Sequence, residues 1–93
     1  MKATKIKMQS GCKTSNNLLE IDSIYLTECQ DEGYYKKASV HDYLIKNPGT
    51  IQVDIYPYPN IIPATSSSPH YEKYVKSTPN SSTQDNLLSL PRE

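Results

Sequence analysis

The stretch SVHDYLIKNPGTIQVDIY, residues 39–56, changes its hydrophobic period in the middle. In the first half Val40, Tyr43 and Leu44 recur at i, i+3 and i+4, the spacing of one face of a helix. Ser39 stands where an N-cap would, Asp42 follows three residues on in the place of a capping-box acid, and Asn47-Pro48-Gly49 stops the helix. In the second half Ile51, Val53 and Ile55 alternate with Gln52 and Asp54, the period of a half-buried strand. Two turns of helix do not persist alone in water, so the apolar stripe must lie on a sheet. A helix over 39–46 followed by a strand over 50–56 puts the chain in the α+β class.

Toward the N-terminus, alternation dominates. In TKIKMQ, Ile6 and Met8 point one way while Lys5, Lys7 and Gln9 point the other, which predicts a strand over 1–9 with a solvated lysine face. LEIDSIYLTE predicts a second strand over 19–28, with Leu19, Ile21 and Tyr25 on one face and Ile24 and Leu26 on the other. A strand apolar on both faces reads as central. The turn Cys29-Gln30-Asp31-Glu32-Gly33 then allows 34–37 to return as a hairpin strand.

Beyond the decisive stretch, Tyr56-Pro57-Tyr58-Pro59 breaks the strand, because proline cannot donate to a ladder and forces its neighbour extended. Residues 57–70 read as a loop or, from Asn60 on, a frayed edge, tethered by Ile61 and Ile62, with Ser66-Ser67-Ser68 at its tip. A last strand over 71–77 sets Tyr71, Lys73 and Val75 against Glu72, Tyr74 and Lys76, and 78–84 is a polar loop. Residues 85–91 then place Leu87, Leu88 and Leu90 behind Asp85 and Asn86, both good capping residues. Burying three leucines contributes about 4–9 kcal/mol as an upper estimate. A small domain has only about 5–10 kcal/mol of net stability, so a docked hook would be required for folding. The expectation is a single small domain over 1–93: a largely antiparallel sheet of four or five strands, one short helix and a docked C-terminal turn.

Composition narrows the function. Eight tyrosines with no Phe or Trp suit half-buried positions, where the ring packs and the hydroxyl reaches water. Ten basic residues balance ten acidic ones, which removes the overall field that would steer nucleic acid or an anionic membrane and leaves room for local patches. MKATKIKM has a basic start without the apolar run of a signal peptide, and no window is apolar enough to span a membrane. Cys12 and Cys29, without a CxxC pair, read as reduced thiols of a cytoplasmic protein. In that compartment the Asn80-Ser81-Ser82 acceptor triplet meets no glycosylating enzyme.

No catalytic, metal or cofactor signature emerges. His41 and Asp42 are adjacent on a helix, where neighbours do not face each other, and Ser39 and Asp42 are accounted for as caps. Cys12, Cys29, His41 and His70 are scattered singly, whereas structural zinc ligands come in close pairs. Cys29, beside Glu28, Asp31 and Glu32, sits in surroundings unsuited to a reactive thiolate. Interaction candidates are Tyr34, Tyr35, Lys36 and Lys37, with Tyr56, Tyr58, Tyr71 and Tyr74. Tyrosines in such numbers suit a protein interface, which implies a non-enzymatic protein-binding role through a Tyr-rich face or the 56–70 loop, with no membrane partner. The alternative is a single-stranded nucleic-acid module, with tyrosines stacking bases while Lys36, Lys37, Lys73 and Lys76 follow phosphates.

A short helix, the stop at Asn47-Pro48-Gly49, the strand TIQVDIY and then YVKSTPNSSTQDNLLSLP together resemble an uncharacterised family of small bacterial and phage-borne proteins. That family closes on a Tyr-x-Arg/Lys strand and an Asp-Asn-Leu-Leu-x-Leu-Pro tail, matched here by Tyr74, Lys76, Asp85, Asn86, Leu87, Leu88, Leu90 and Pro91. The resemblance covers residues 38–91 and departs from the family in a longer Tyr/Pro-rich insertion between Tyr56 and His70. It implies a small sheet-based fold and a phage or mobile-element setting, and it carries over no activity and no catalytic residue.

Overall fold

Two bulges set the phase of the central strands. In the computed structural model, which describes residues 1–66, 71–78 and 85–93, β1 (Lys2–Met8) pairs antiparallel with β2 (Ile21–Thr27), and the register slips between Ala3 and Lys5 and again between Lys7 and Met8. Thr4 is the extra residue on β1 and Asp22 the extra residue on β2. Each bulge flips the alternation, so that Ala3 and Ile6 share the inner face, as do Ile21, Ile24 and Leu26, all of them buried in one core. The assignment of Ile21 to the side opposite Ile24 and Leu26 is therefore corrected. β2 has one apolar face, with Tyr25 on the other.

β3 (Gly33–Lys36) pairs antiparallel with β2, and β4 (Gln52–Val53) pairs parallel with the start of β1, giving a four-stranded mixed sheet in the order β3-β2-β1-β4. β5 (Ile61–Thr65) and β6 (Lys73–Ser77) form a separate antiparallel hairpin. The fold is α+β, with three antiparallel pairings and one parallel. The strand predicted over 50–56 shrinks to two residues because the chain turns at once, Tyr58 N–H donating to the Ile55 carbonyl at 2.7 Å. Its predicted inward residues hold: Ile51 and Val53 are fully buried, and Ile55 packs partly buried against the core.

Of the two readings for the stretch from Asn60, a plain loop is corrected, since it contains β5. Pro63 sits inside that strand without loss. It falls on the same edge as Ile61, whose N–H goes to the Ile51 carbonyl at 2.9 Å, and that edge points away from the β6 ladder. The predicted tip residues Ser67 and Ser68, His70, and the polar loop from Pro79 to Gln84 with its Asn80 triplet lie outside the described residues.

Helix α1 (Lys37–Lys46) begins two residues before Ser39. β3 runs straight into it through Lys36, which makes no side-chain cap, so the capping roles given to Ser39 and Asp42 are corrected. The buried stripe is Lys37, Val40, His41 and Leu44, at i, i+3, i+4 and i+7, which turns Tyr43 outward to 41% exposure. The helix ends as predicted, with Asn47 N–H bonded to the Tyr43 carbonyl and Gly49 in the left-handed region at φ +75°. The second strand also begins later than predicted, because Asn17 caps a 3-10 turn over Leu18–Glu20.

The leucine hook closes the core. Leu87, Leu88 and Leu90 are buried, on and just after a 3-10 turn over Asn86–Ser89. Asp85 holds its entry, accepting from Ser77 N–H at 3.0 Å, from the Ser77 hydroxyl at 2.9 Å and from Leu87 N–H at 2.9 Å. After it, Ile6 N–H bonds to the Pro91 carbonyl and Glu93 N–H to the Ile6 carbonyl, so the last residues extend along the edge of β1 beyond β4. The Arg92 guanidinium donates to the carbonyls of Lys13, Ser15 and Leu88 at 2.7–2.9 Å, tying the hook to the loop after β1.

Candidate interaction surface

Helix α1, the hairpin and the hook all contribute side chains to the core on the inner face of the four-stranded sheet. Register defines what the other face carries. Lys36, Ser23 and Lys7 lie side by side in one row, Tyr34, Tyr25 and Lys5 in the next, and Thr27, Lys2 and Gln52 in a third. Neighbouring strands are about 4.8 Å apart and successive same-face residues about 6.7 Å apart, so this grid covers a continuous patch. Each of its lysines and tyrosines is partly or fully exposed.

Rings and ammonium groups interlock on this patch. Tyr25 and Tyr34 meet edge to face with centroids 5.0 Å apart, and Lys5 Nζ sits 4.6 Å from the Tyr25 ring centroid. Lys2 Nζ lies 4.5 Å from the ring centroid of Tyr58, which brings the turn after β4 against the edge of the same face. Tyr58 adopts a left-handed φ of 60°, a conformation that costs a bulky side chain roughly 1–2 kcal/mol. Tyr56 packs edge to face on Tyr58 at 6.1 Å and is 82% exposed.

Two carboxylates reach the patch. Asp22, on its bulge, accepts from Lys36 at 2.9 and 3.0 Å, and the Ser23 hydroxyl followed by the Lys36 ammonium lowers its pKa. Glu93 lies 3.4 Å from Lys5. The Tyr34 hydroxyl is buried without a full hydrogen bond; its burial first, and the Glu93 carboxylate second, push the phenol above its ordinary pKa. Four lysines thus face two carboxylates, and among the described residues Lys2 and Lys7 form no ion pair.

The predicted interaction residues are divided among four places. Tyr34 and Lys36 lie on this patch, with Tyr56 and Tyr58 at its border. Tyr35 points the opposite way, as strand alternation requires, bonds through its hydroxyl to the Asp31 carbonyl, and lines an apolar cleft of about 410 Å³ with Leu26, Cys29, Val40, Tyr43 and Ile51. Lys37 is buried, donating to the Leu19 carbonyl and pairing with Glu72 at 2.7 Å. Tyr71, 66% exposed, and Tyr74, which borders a cleft of about 550 Å³ with Leu18, Leu19 and Leu88, belong to the hairpin region. Tyr25, Lys2, Lys5 and Lys7 complete the patch but were not among the predicted site residues. For Lys5 and Lys7 the signal was the lysine alternation in TKIKM, which by itself says only that one face is wet; Lys2 reaches that face only through the bulge at Thr4.

The other candidates resolve into structure. His41 is buried and its Nδ1 lies 3.1 Å from Asp42 Oδ1, so the expectation that these neighbours stay apart is corrected. The Asp42 carboxylate swings to where Lys73 Nζ also reaches it, at 3.0 Å, and that bond followed by the one to His41 lowers its pKa. The third member is a lysine from β6, and Ser39, exposed on the helix, takes no part. Cys12 and Cys29 are free thiols; Cys12 bonds to the Glu20 carboxylate at 3.1 Å, which raises its pKa and disfavours the nucleophilic thiolate. Among the described residues no cluster of His, Cys, Asp and Glu could hold a metal ion, and no helix is long and apolar enough to cross a membrane. No protein-family model, curated protein or solved structure matches this chain.

Proposed function

We propose that this chain is a non-enzymatic accessory protein of the cytoplasm that binds another protein on the outward face of its four-stranded sheet and on the adjoining Tyr56–Tyr58 turn. The observation that carries this reading is the grid of Lys2, Lys5, Lys7, Tyr25, Tyr34 and Lys36, a contiguous ring-and-cation patch with no part in closing the core. Tyrosine rings supply large contact area at low entropic cost, and exposed Tyr56 is placed to act as an anchor. The phage or mobile-element setting implied by the 38–91 resemblance suits a small factor that acts on a host protein. The nucleic-acid alternative loses support, because Lys36, Lys37 and Lys73 are each engaged by a carboxylate.

The test is affinity capture with three baits: the chain itself, a Lys7→Glu/Tyr56→Ala variant and a Tyr71→Ala variant. The reading expects a protein retained by the first and third baits and lost by the second, with direct binding then measured by calorimetry on the purified pair. Loss with Tyr71→Ala instead, or a capture profile identical for all three baits, would overturn it.

A further inference from the structure

Three of the four lysines of this patch are held by neighbouring groups, and the fourth, Lys7, is exposed. Two of the three on β1 are parked on aromatic rings, Lys2 on Tyr58 at 4.5 Å and Lys5 on Tyr25 at 4.6 Å. Lys36 is drawn in by Asp22, and Lys7 lies two strands away in the same row. An ordered lysine has already given up part of the rotamer freedom that binding would otherwise remove. The rings therefore fix cations in place at the start of the recognition event.

From this arrangement we infer that the patch receives an acidic, extended segment of the partner protein, whose carboxylates meet the ammonium groups of Lys2 and Lys7. The inference rests on the protein-binding reading and names the chemistry of the partner. Charge complementarity gives the sign, four lysines against two carboxylates that are themselves engaged. Ring geometry selects between polyanions. A single-stranded nucleic acid needs open ring faces on which bases can stack. Here the Tyr25 face is taken by Lys5 and the Tyr25–Tyr34 pair stands at 83°, so neighbouring rings offer no common stacking platform. A carboxylate needs no ring face. It approaches each ammonium from the solvent side while the ring stays beneath.

The experiment uses the whole chain and three fluorescein-labelled probes: decaglutamate, a Gly-Ser peptide of equal length and oligodeoxythymidine, followed by anisotropy. Decaglutamate should bind at about 50 mM salt and weaken roughly tenfold by about 200 mM, as screening of exposed charges requires. Lys2→Gln and Lys7→Gln should each weaken it about fivefold, whereas Lys46→Gln on the helix should not. Tyr58→Leu, which keeps every charge and removes the electron-rich ring under Lys2, should weaken it about two- to threefold, an effect that simple net charge would not give. Binding of oligodeoxythymidine in place of decaglutamate would overturn both the inference and the protein-binding reading. Failure of decaglutamate while a captured protein still depends on Tyr56 and Lys7 would overturn the acidic-segment inference and leave that reading standing. Equal losses from Lys46→Gln would reduce the effect to bulk charge and also overturn it.

Discussion

Two segments of this chain advertise hydrophobic side chains next to proline, the hook DNLLSLP at 85–91 and the turn YPYP at 56–59, and they end in opposite places. The leucines of the hook are 0–6% exposed, whereas Tyr56 is 82% and Tyr58 47% exposed. What separates them is polar support. Asp85 and Arg92 clamp the hook at both ends onto the backbone of β6 and of the loop after β1, so the leucines enter the core with their backbone groups satisfied. Among the described residues the backbone of the turn bonds to its own preceding segment, through Tyr58 N–H to Ile55 and Val53 N–H to Pro59, and its rings rest on a face that solvent also reaches. Burial follows the clamps as well as the side chains.

Removing the hook should show the contrast at its largest. A chain ending at residue 84 should fail to fold or lose several kcal/mol, and Leu87→Ala alone should cost about 2–5 kcal/mol, since the residue is fully buried and its cavity cannot close. Urea titration followed by circular dichroism measures both. A truncated chain as stable as the full one would erase the distinction between the two segments. Next in size is Asp85→Ala, which strands Ser77 N–H and Leu87 N–H and should cost about 1–3 kcal/mol; Asp85→Asn should recover part of it, because the amide oxygen still accepts.

How far these differences could be read in advance depends on the range of the interaction behind them. The helix at α1, the stop at Gly49 and the alternation of Ile51 and Val53 are local patterns, and they were legible. So was the hook, through its leucines and its capping Asp85. The bulges at Thr4 and Asp22 were not, since a register slip depends on the partner strand. β5 was hidden by Pro63, which argues against a strand until the edge it faces is known. The patch lay in between: the alternation of Tyr34 and Tyr35 already implied opposite faces, but only pairing could bring Tyr25, Lys5 and Lys2 beside them.

Acidification should act on the surface ion pairs. Asp22 and Asp42 both have lowered pKa values, through the Ser23 hydroxyl and Lys36 in one case and through Lys73 and His41 in the other. A carboxylate with a lowered folded-state pKa contributes stability that is fully present above its unfolded value, near 4, and is lost as pH falls through the folded value. Stability should therefore hold at neutral pH and decline on acidification below about pH 4, modestly because Asp42 is exposed and Asp22 only half-buried. Asp22→Asn and Asp42→Asn should each make the decline shallower, as seen in thermal melts over a pH series. A decline equally steep in both variants would assign the acid response to other carboxylates.

The smallest expected effect is the most informative about function. Tyr56 contributes its ring to Tyr58 and little else, so Tyr56→Ala should change folding stability by no more than about 0.5 kcal/mol, the range of surface substitutions away from special features. An exposed aromatic that the fold does not need is one that selection for stability alone would not retain, which is why a near-zero result supports its use in binding. A loss above about 2 kcal/mol would instead make Tyr56 part of the packing, in the manner of Leu87, and would remove the anchor from the proposed surface. Urea midpoints of the two alanine variants, Leu87→Ala and Tyr56→Ala, measured side by side with a common slope, decide between those outcomes.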